Sequence, residues 1–213
     1  MKKDKSGQKS SSRRRFLSIL AGSIGSLFLP VWSFAKKYWP VRTVEKTTPA
    51  IDLTTWHLKI NGLVENPITL TFDEIKNLPF IDQTKDLDCV EMWSVRKLKW
   101  QGVQLKTIIE KVNPGSEAKF LTFHCSGGIY SESLTIEQAM ADDVILAYAV
   151  DGKLLEPKHG APLRLVVPGL WGYKSAKWVE RIEFVSERHL GYWVQRGYGV
   201  DAGPGQQTSP RRK

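Results

Sequence analysis

Cysteine is scarce in this chain: Cys89 and Cys125 are the only two among 213 residues, too few for a disulfide-stapled scaffold and enough for one bridge at most. No Cys-x-x-Cys-His occurs, which excludes covalently attached haem. The sequence also lacks a helical histidine pair of the zinc-protease kind, a nucleophile elbow, a dinucleotide-binding glycine fingerprint and any internal repeat. Long hydrophobic runs are missing as well. The longest, residues 16–29, is about 14 residues against the ~20 that a bilayer span needs. Charge of one sign is in smaller excess than the net +9 suggests, because residues 1–35 carry seven Lys or Arg and one Asp, leaving 24 basic against 21 acidic residues in the remainder. That balance gives no electrostatic case for a nucleic-acid partner.

What the N-terminus does contain is a leader. Lys2, Lys3, Lys5 and Lys9 precede Ser12-Arg13-Arg14-Arg15-Phe16-Leu17, the diluted apolar run follows, and Ser33-Phe34-Ala35 is a small-x-small cleavage site. The reading is a twin-arginine signal over residues 1–35, handled by the twin-arginine translocase and delivering a folded protein to the periplasm. No cysteine follows the apolar run, so a lipoprotein anchor is not expected. Export in the folded state raises the expectation of a cofactor inserted before crossing.

Beyond the leader, residues 36–55, with Pro40 and Pro49, read as an extended lead-in. Eight tryptophans in the chain point to one aromatic-rich domain, placed at residues 56–195, with a loose tail at 196–213. Alternating or β-branched runs predict strands at 56–64, 68–70, 81–91, 120–124, 144–150, 163–167 and 178–185. Thr71-x-x-Glu74 and Thr135-x-x-Gln138 are capping boxes that start short helices, 105–112 is apolar at helical spacing, and Asp151-Gly152 signals a hairpin. Many strands with a few short helices, not in strict alternation, predict an α+β domain.

Three stretches carry candidate chemistry: Asp88-Cys89-Val90-Glu91-Met92-Trp93-Ser94, His159 to Arg164, and Gly172 to Trp178. The last two flank one strand and gather His159, Arg164, Lys174 and Lys177 with glycine-exposed backbone, an anion site in outline. Two thiols in an oxidising compartment allow a Cys89–Cys125 bridge; a soft metal asks instead for one of them as a thiolate ligand. Both readings stand at this level.

Together the stretches resemble the sulfite oxidase superfamily, in particular its single-domain molybdopterin-binding oxidoreductases. The resemblance covers roughly residues 56–193 and is most specific at Cys-Val-Glu-x-Trp-Ser from Cys89, Gly-Ala-Pro-Leu-Arg-Leu-Val-Val-Pro from Gly160, and Lys-Ser-x-Lys-Trp from Lys174. It implies a sulfite-oxidase-like fold with mixed sheets, and Mo-molybdopterin as cofactor with Cys89 as the protein ligand of the metal. It places His159 and Arg164 at the pterin and its phosphate, and Lys174, Ser175, Ala176 and Lys177 on a phosphate loop. Cys125 falls near a cofactor-contacting position, and Tyr130 near the substrate entrance. The implied activity is oxygen-atom transfer, as sulfoxide-type reduction or sulfite-type oxidation of a small molecule. Electrons would be exchanged with a membrane-bound haem or quinone-linked partner or a soluble cytochrome. No arginine follows Cys89 until Arg96, so the resemblance gives sulfite no specific support and favours sulfoxide-type reduction. The alternative is an exported, non-catalytic binding domain closed by a Cys89–Cys125 disulfide.

Overall fold

The computed structural model describes residues 38–201, 203 and 204; the leader at 1–35 and residues 205–213 lie outside the described residues. Residues 38–55 form no strand or helix. The regular elements begin with β1 (His57–Gly62), β2 (Ile68–Thr71) and α1 (Phe72–Lys76). The long hairpin β3 (Phe80–Cys89) and β4 (Trp93–Gln104) follows, then α2 (Leu105–Val112), β5 (Phe120–Cys125), β6 (Ser131–Thr135) and α3 (Ile136–Ala139). The chain closes with β7 (Ile145–Val150), β8 (Lys153–Leu154), β9 (Arg164–Val166) and β10 (Val179–Val185). Among the described residues no helix is long and apolar enough to cross a membrane.

Local chemistry explains the short helices. Thr71 and Thr135 each accept from the backbone of the third residue of their helix, and Glu74 and Gln138 return the bond to the cap, so both capping boxes form as the sequence predicts. In α2, Leu105, Ile108, Ile109 and Val112 lie at helical spacing and are all buried, each stabilising the fold by ~2 kcal/mol relative to exposure. Asn113 ends this helix in the left-handed region at φ 48°, a conformation that asparagine tolerates well.

Two five-stranded sheets result. The first runs β2-β1-β10-β5-β6, and the second runs β3-β4-β7-β8 with β9 also pairing to β7. β1 and β10 are parallel, while the other pairs are antiparallel. The mixed sheets and short helices make this the expected α+β fold. Leu58, Ile60, Leu121, Phe123, Ile182 and Phe184 of the first sheet pack with α2 in the main core. Trp100, Leu98, Ile145 and Val166 form the centre of a second core under the other sheet.

The chain changes sheet between β9 and β10. Leu165 N–H donates to Ala176 at 2.8 Å and Val179 N–H to Leu163 at 3.0 Å, while Ser126 N–H donates to Trp178 at 2.8 Å. Residues 167–178 therefore cross from one sheet to the other, and the cavity described below opens beside this crossing.

Three of the ten strands have no counterpart among the expected ones: β4, the longest among the described residues, β6, and the two-residue β8, which the hairpin signal at Asp151-Gly152 only implies. β6 has the sequence Ser-Glu-Ser-Leu-Thr with a buried centre, so its polarity concealed its position. The expected strand at 81–91 stops at Cys89, because Met92 N–H donates back to Cys89 at 3.1 Å and turns the chain.

Candidate active site

A cavity of about 340 Å³ lies at the end of the β3–β4 hairpin beside the segment that crosses between the sheets, within the range of small-molecule sites. Cys89 enters its wall from the end of β3, His159 and Arg164 from either side of the start of β9, and Ser175, Ala176 and Lys177 from the crossing segment. Tyr130, just before β6, joins them. Seven of the nine sequence-predicted positions thus meet in one place, although they come from the second sheet, from the β5–β6 connection and from the segment that crosses between the sheets.

Cys89 stands at a tight turn. Burial pushes its thiol pKa up, whereas the backbone N–H groups of Glu91 and Val90 and the charge of Arg42 act the other way and favour the thiolate. Gly172 packs so close to this strand end that a β-carbon there would lie 3.1 Å from the carbonyl oxygen of Asp88. The lack of a side chain lets the turn Gly172–Lys174 dock beside Cys89.

The basic part of the wall is short of counter-charge. Arg164 is 3% exposed; it donates to the carbonyls of His159 at 2.9 Å and Ser175 at 3.2 Å, while its Nε has no partner. Burial lowers its pKa to about 10. Lys177 donates to the carbonyl of Arg42 at 2.8 Å and lies 4.2 Å from the Trp178 ring centre. Burial, followed by repulsion from Arg164, brings Lys177 down to about 7. Neither cation has a carboxylate partner among the described residues. His159 stacks on Trp39 with ring centres 3.9 Å apart; burial, then Arg164, lowers it to about 4. Buried cations without partners are costly, and the cheapest remedy is an anion in the cavity.

Lys174 does not join this group, contrary to expectation. Its side chain is fully buried and donates to Glu132 and to the Ser133 carbonyl, both at 2.7 Å. In a 3-10 turn successive side chains diverge by a third of a revolution, so Tyr173 reaches the cavity while Lys174 turns to β6. Cys125 is also absent from the wall. It is a buried member of the main core, and burial raises its thiol pKa far above the ordinary value. The two cysteines are free thiols at the ends of strands in different sheets, so the alternative disulfide is not formed.

Several wall residues escaped the sequence reading. The lead-in crosses the cavity, and Trp39, Arg42 and Val44 line it. Arg42 ion-pairs with Glu91, which also accepts from Trp93 Nε1 at 3.1 Å. Glu45 is buried and accepts from the N–H groups of Ile129 and Tyr130 at 3.3 and 3.2 Å. It lies where Gly127, at φ 99°, leaves space for its carboxylate. Trp193 and Tyr198 close another side. Tyr198 belongs to the stretch expected to be loose, yet Asp201 ion-pairs with Arg188 and accepts from Gln138 at 2.9 Å. Within the stretch 196–201, residues 198–200 are half-buried and Asp201 is tied to the domain through these two side chains. The signal for these residues is tertiary; only the aromatic content of both stretches hinted at it.

Among the described residues no three His, Cys, Asp or Glu side chains converge as a metal site. A metal held here through Cys89 must bring further donors with its own ligand. One accessible thiol and a cationic wall with an orphaned guanidinium nitrogen define a class: a domain that holds an anionic, metal-bearing organic cofactor. The family model for the oxidoreductase molybdopterin binding domain matches residues 45–193. The chain is 39% identical over 155 residues to the oxidoreductase YuiH of Bacillus subtilis, covering 73% of this chain and 78% of that protein. It is 34% identical over 154 residues to MsrP, the protein-methionine-sulfoxide reductase catalytic subunit of Campylobacter jejuni, covering 65% of this chain and 52% of the relative. Among solved structures, the sulfane dehydrogenase SoxCD from Paracoccus pantotrophus superposes with a TM-score of 0.60 at 27% identity, over 66% of this chain and 40% of that one. The chain spans about half the length of the MsrP relative.

The chain belongs to the molybdopterin-binding oxidoreductase family. It is an enzyme of sulfite-oxidase-like fold whose cofactor is Mo-molybdopterin.

Proposed function

We propose that this chain is the catalytic domain of an exported molybdenum enzyme that transfers an oxygen atom to or from a small sulfur compound, with sulfoxide reduction favoured. The observation that carries this reading is that the Cys89 thiol shares one cavity wall with two cations that have no carboxylate partner, the buried Arg164 and the half-buried Lys177. When bound, the cofactor supplies a two-electron centre able to exchange an oxo group. Cys89 would be its only protein sulfur ligand. Arg164 and Lys177, with His159 beside them, would hold the phosphate, and the Ala176 backbone N–H would add a donor, that of Ser175 being taken by the Gly172 carbonyl at 3.1 Å. Ser175 Oγ accepts from Val167 N–H at 3.1 Å, which fixes this loop on β9. Tyr130, whose hydroxyl donates to the Tyr173 carbonyl, would border the substrate, and the aromatic walls would limit water.

The balance favours a neutral substrate. Arg96, the first arginine after Cys89, is engaged with Asp86 at 2.7 Å and Asp88 at 3.4 Å, outside the cavity wall. Arg42 is neutralised by Glu91. Sulfoxide reduction consumes two electrons and two protons and releases a thioether and water, so the electrons must come from a separate haem or quinone-linked protein. The basic leader supports delivery to the periplasm by the twin-arginine route.

The test is elemental analysis of protein purified from a host that makes molybdopterin, with Cys89→Ser alongside. About one molybdenum per chain is expected, with an electronic spectrum that the serine variant loses or alters. Metal-free wild-type protein with an oxidised Cys89–Cys125 pair would overturn the reading.

A further inference from the structure

Five aromatic side chains form a closed circuit at the cavity. Tyr130 and Tyr192 have ring centres 6.0 Å apart, Tyr192 and Trp193 5.2 Å, Trp193 and Tyr198 5.0 Å, and Tyr198 and Tyr173 5.6 Å. The hydroxyl of Tyr130 donates to the Tyr173 backbone carbonyl and completes the circuit. Tyr130, Tyr173, Trp193 and Tyr198 line the same cavity as Cys89, and Tyr173 belongs to the turn that Gly172 docks against the end of β3. Trp39, Trp100 and His159 form a separate cluster around Arg164. Among the described residues no ring contact joins the two. The wall therefore divides into a cationic part and an aromatic part.

The aromatic part has no cationic side chain on the cavity wall, so neutral donors such as the Trp193 indole N–H and the Tyr198 hydroxyl are all it offers an oxyanion. The Tyr130 and Tyr173 hydroxyls are already committed to the carbonyls of Tyr173 and Gly199. The circuit's neighbouring cation, Arg196, is an exposed residue whose guanidinium stacks 3.6 Å from the Tyr192 ring centre, and neither is part of the cavity wall. Aromatic faces carry negative quadrupole potential. They repel an approaching anion and attract polarizable sulfur and the faintly positive methyl groups beside it.

We propose that these rings are the specificity-determining wall of the enzyme, admitting neutral alkyl-sulfur compounds and excluding inorganic oxyanions. The inference rests on the oxygen-transfer reading above and names the residues that choose the substrate. Tyr198 lies beyond residues 45–193 that the family model matches, so this part of the wall is supplied by the chain's own C-terminal segment.

Binding tests the wall separately from turnover. The full chain, purified with its cofactor and its molybdenum content measured, is titrated calorimetrically with N-acetylmethioninamide, a neutral thioether, and with sulfite. Trp193→Ala and Tyr198→Ala should each weaken thioether binding by about tenfold, the upper end of what one sulfur–ring contact contributes. Trp193→Phe, which keeps a ring, should restore affinity to within a few-fold and guards against a folding defect. Sulfite should give no binding heat at the same concentrations. Sulfite binding without thioether binding, or thioether affinity unmoved by both alanine variants, overturns the proposal. Viologen-linked reduction of the corresponding sulfoxide is then followed. Ring-dependent binding without turnover would sink the oxygen-transfer reading and leave the wall; turnover with a KM indifferent to Trp193 would do the reverse.

Discussion

Arg164 donates from Nη1 to the carbonyl of His159 at 2.9 Å, so a fully buried cation is tied to the backbone of the residue whose imidazole it helps keep neutral. Burial is the larger cause of the depressed His159 pKa and Arg164 the next. This pairing of one cation with one suppressed cation is intelligible if both await the same anion.

The first expectation concerns pH. With His159 at about 4 in the folded chain against 6.5 ordinarily, the unfolded chain takes up a proton that the folded chain refuses. Stability from this group is complete above about pH 6.5 and is lost as pH falls towards 4. Urea midpoints of cofactor-free protein at pH 7 and 4.5 should therefore differ less for His159→Gln than for wild type. An equal difference in the two would show that His159 stays neutral in the unfolded chain or charges freely in the fold.

Lys177 has the complementary signature. Held at about 7, it leaves the folded chain short of a proton between pH 7 and 10.5, so its burial penalty fades as pH rises through that window. A bound anion favours the charged form. Sulfate, whose own charge is constant here, should bind cofactor-free protein more tightly at pH 6 than at pH 9, and Lys177→Met should flatten that difference.

Arg164→Gln should separate stability from cofactor retention. Removing an unpaired buried charge offsets the loss of two hydrogen bonds to carbonyls, so the cofactor-free chain should keep its denaturation midpoint to within about 1 kcal/mol. Molybdenum content should nevertheless fall to a small fraction of wild type. Full metal loading in the variant would show that the guanidinium does not hold the phosphate.

The Glu132–Lys174 pair makes a purely structural prediction. Both side chains are fully buried, and Glu132 Oε2 has no partner. Lys174→Met strands a carboxylate in the core and should cost ~3–5 kcal/mol, whereas Lys174→Met combined with Glu132→Leu should recover most of it. Chemical denaturation of the single and double variants decides this, and equal losses in both would show that packing rather than charge dominates.

Gly172→Ala probes the seat of Cys89. The added methyl meets the Asp88 carbonyl at 3.1 Å, so the turn must retreat from the strand end. Altered metal spectra at nearly unchanged stability are expected; an unaltered spectrum would mean that the turn does not set the position of Cys89.

Much of this architecture is written in local sequence. The boxes at Thr71 and Thr135, the helix that ends at Asn113 and the turn at Asp151-Gly152 depend on bonds between residues a few positions apart, and each falls where the sequence places it. Cys89, His159, Arg164 and Lys177 were recognisable because their neighbours form specific motifs.

Position in space was another matter. Lys174 and Lys177 share one motif, yet one neutralises Glu132 in the core and the other remains unpaired at the cavity, because the pitch of a 3-10 turn and the sheet crossing separate them. β6 was hidden since its Glu132 and Ser133 are polar and find their partners only through Lys174 and the His189 carbonyl. Trp39, Arg42, Trp193 and Tyr198 reach the site from stretches with no regular motif. The sequence by itself determined the helices and most strands, which depend on short-range bonding, and its motifs marked Cys89 as the candidate thiol. Tertiary structure alone decided which cations stay without counter-ions and which rings line the cavity, because burial and charge pairing are settled by residues distant in the chain.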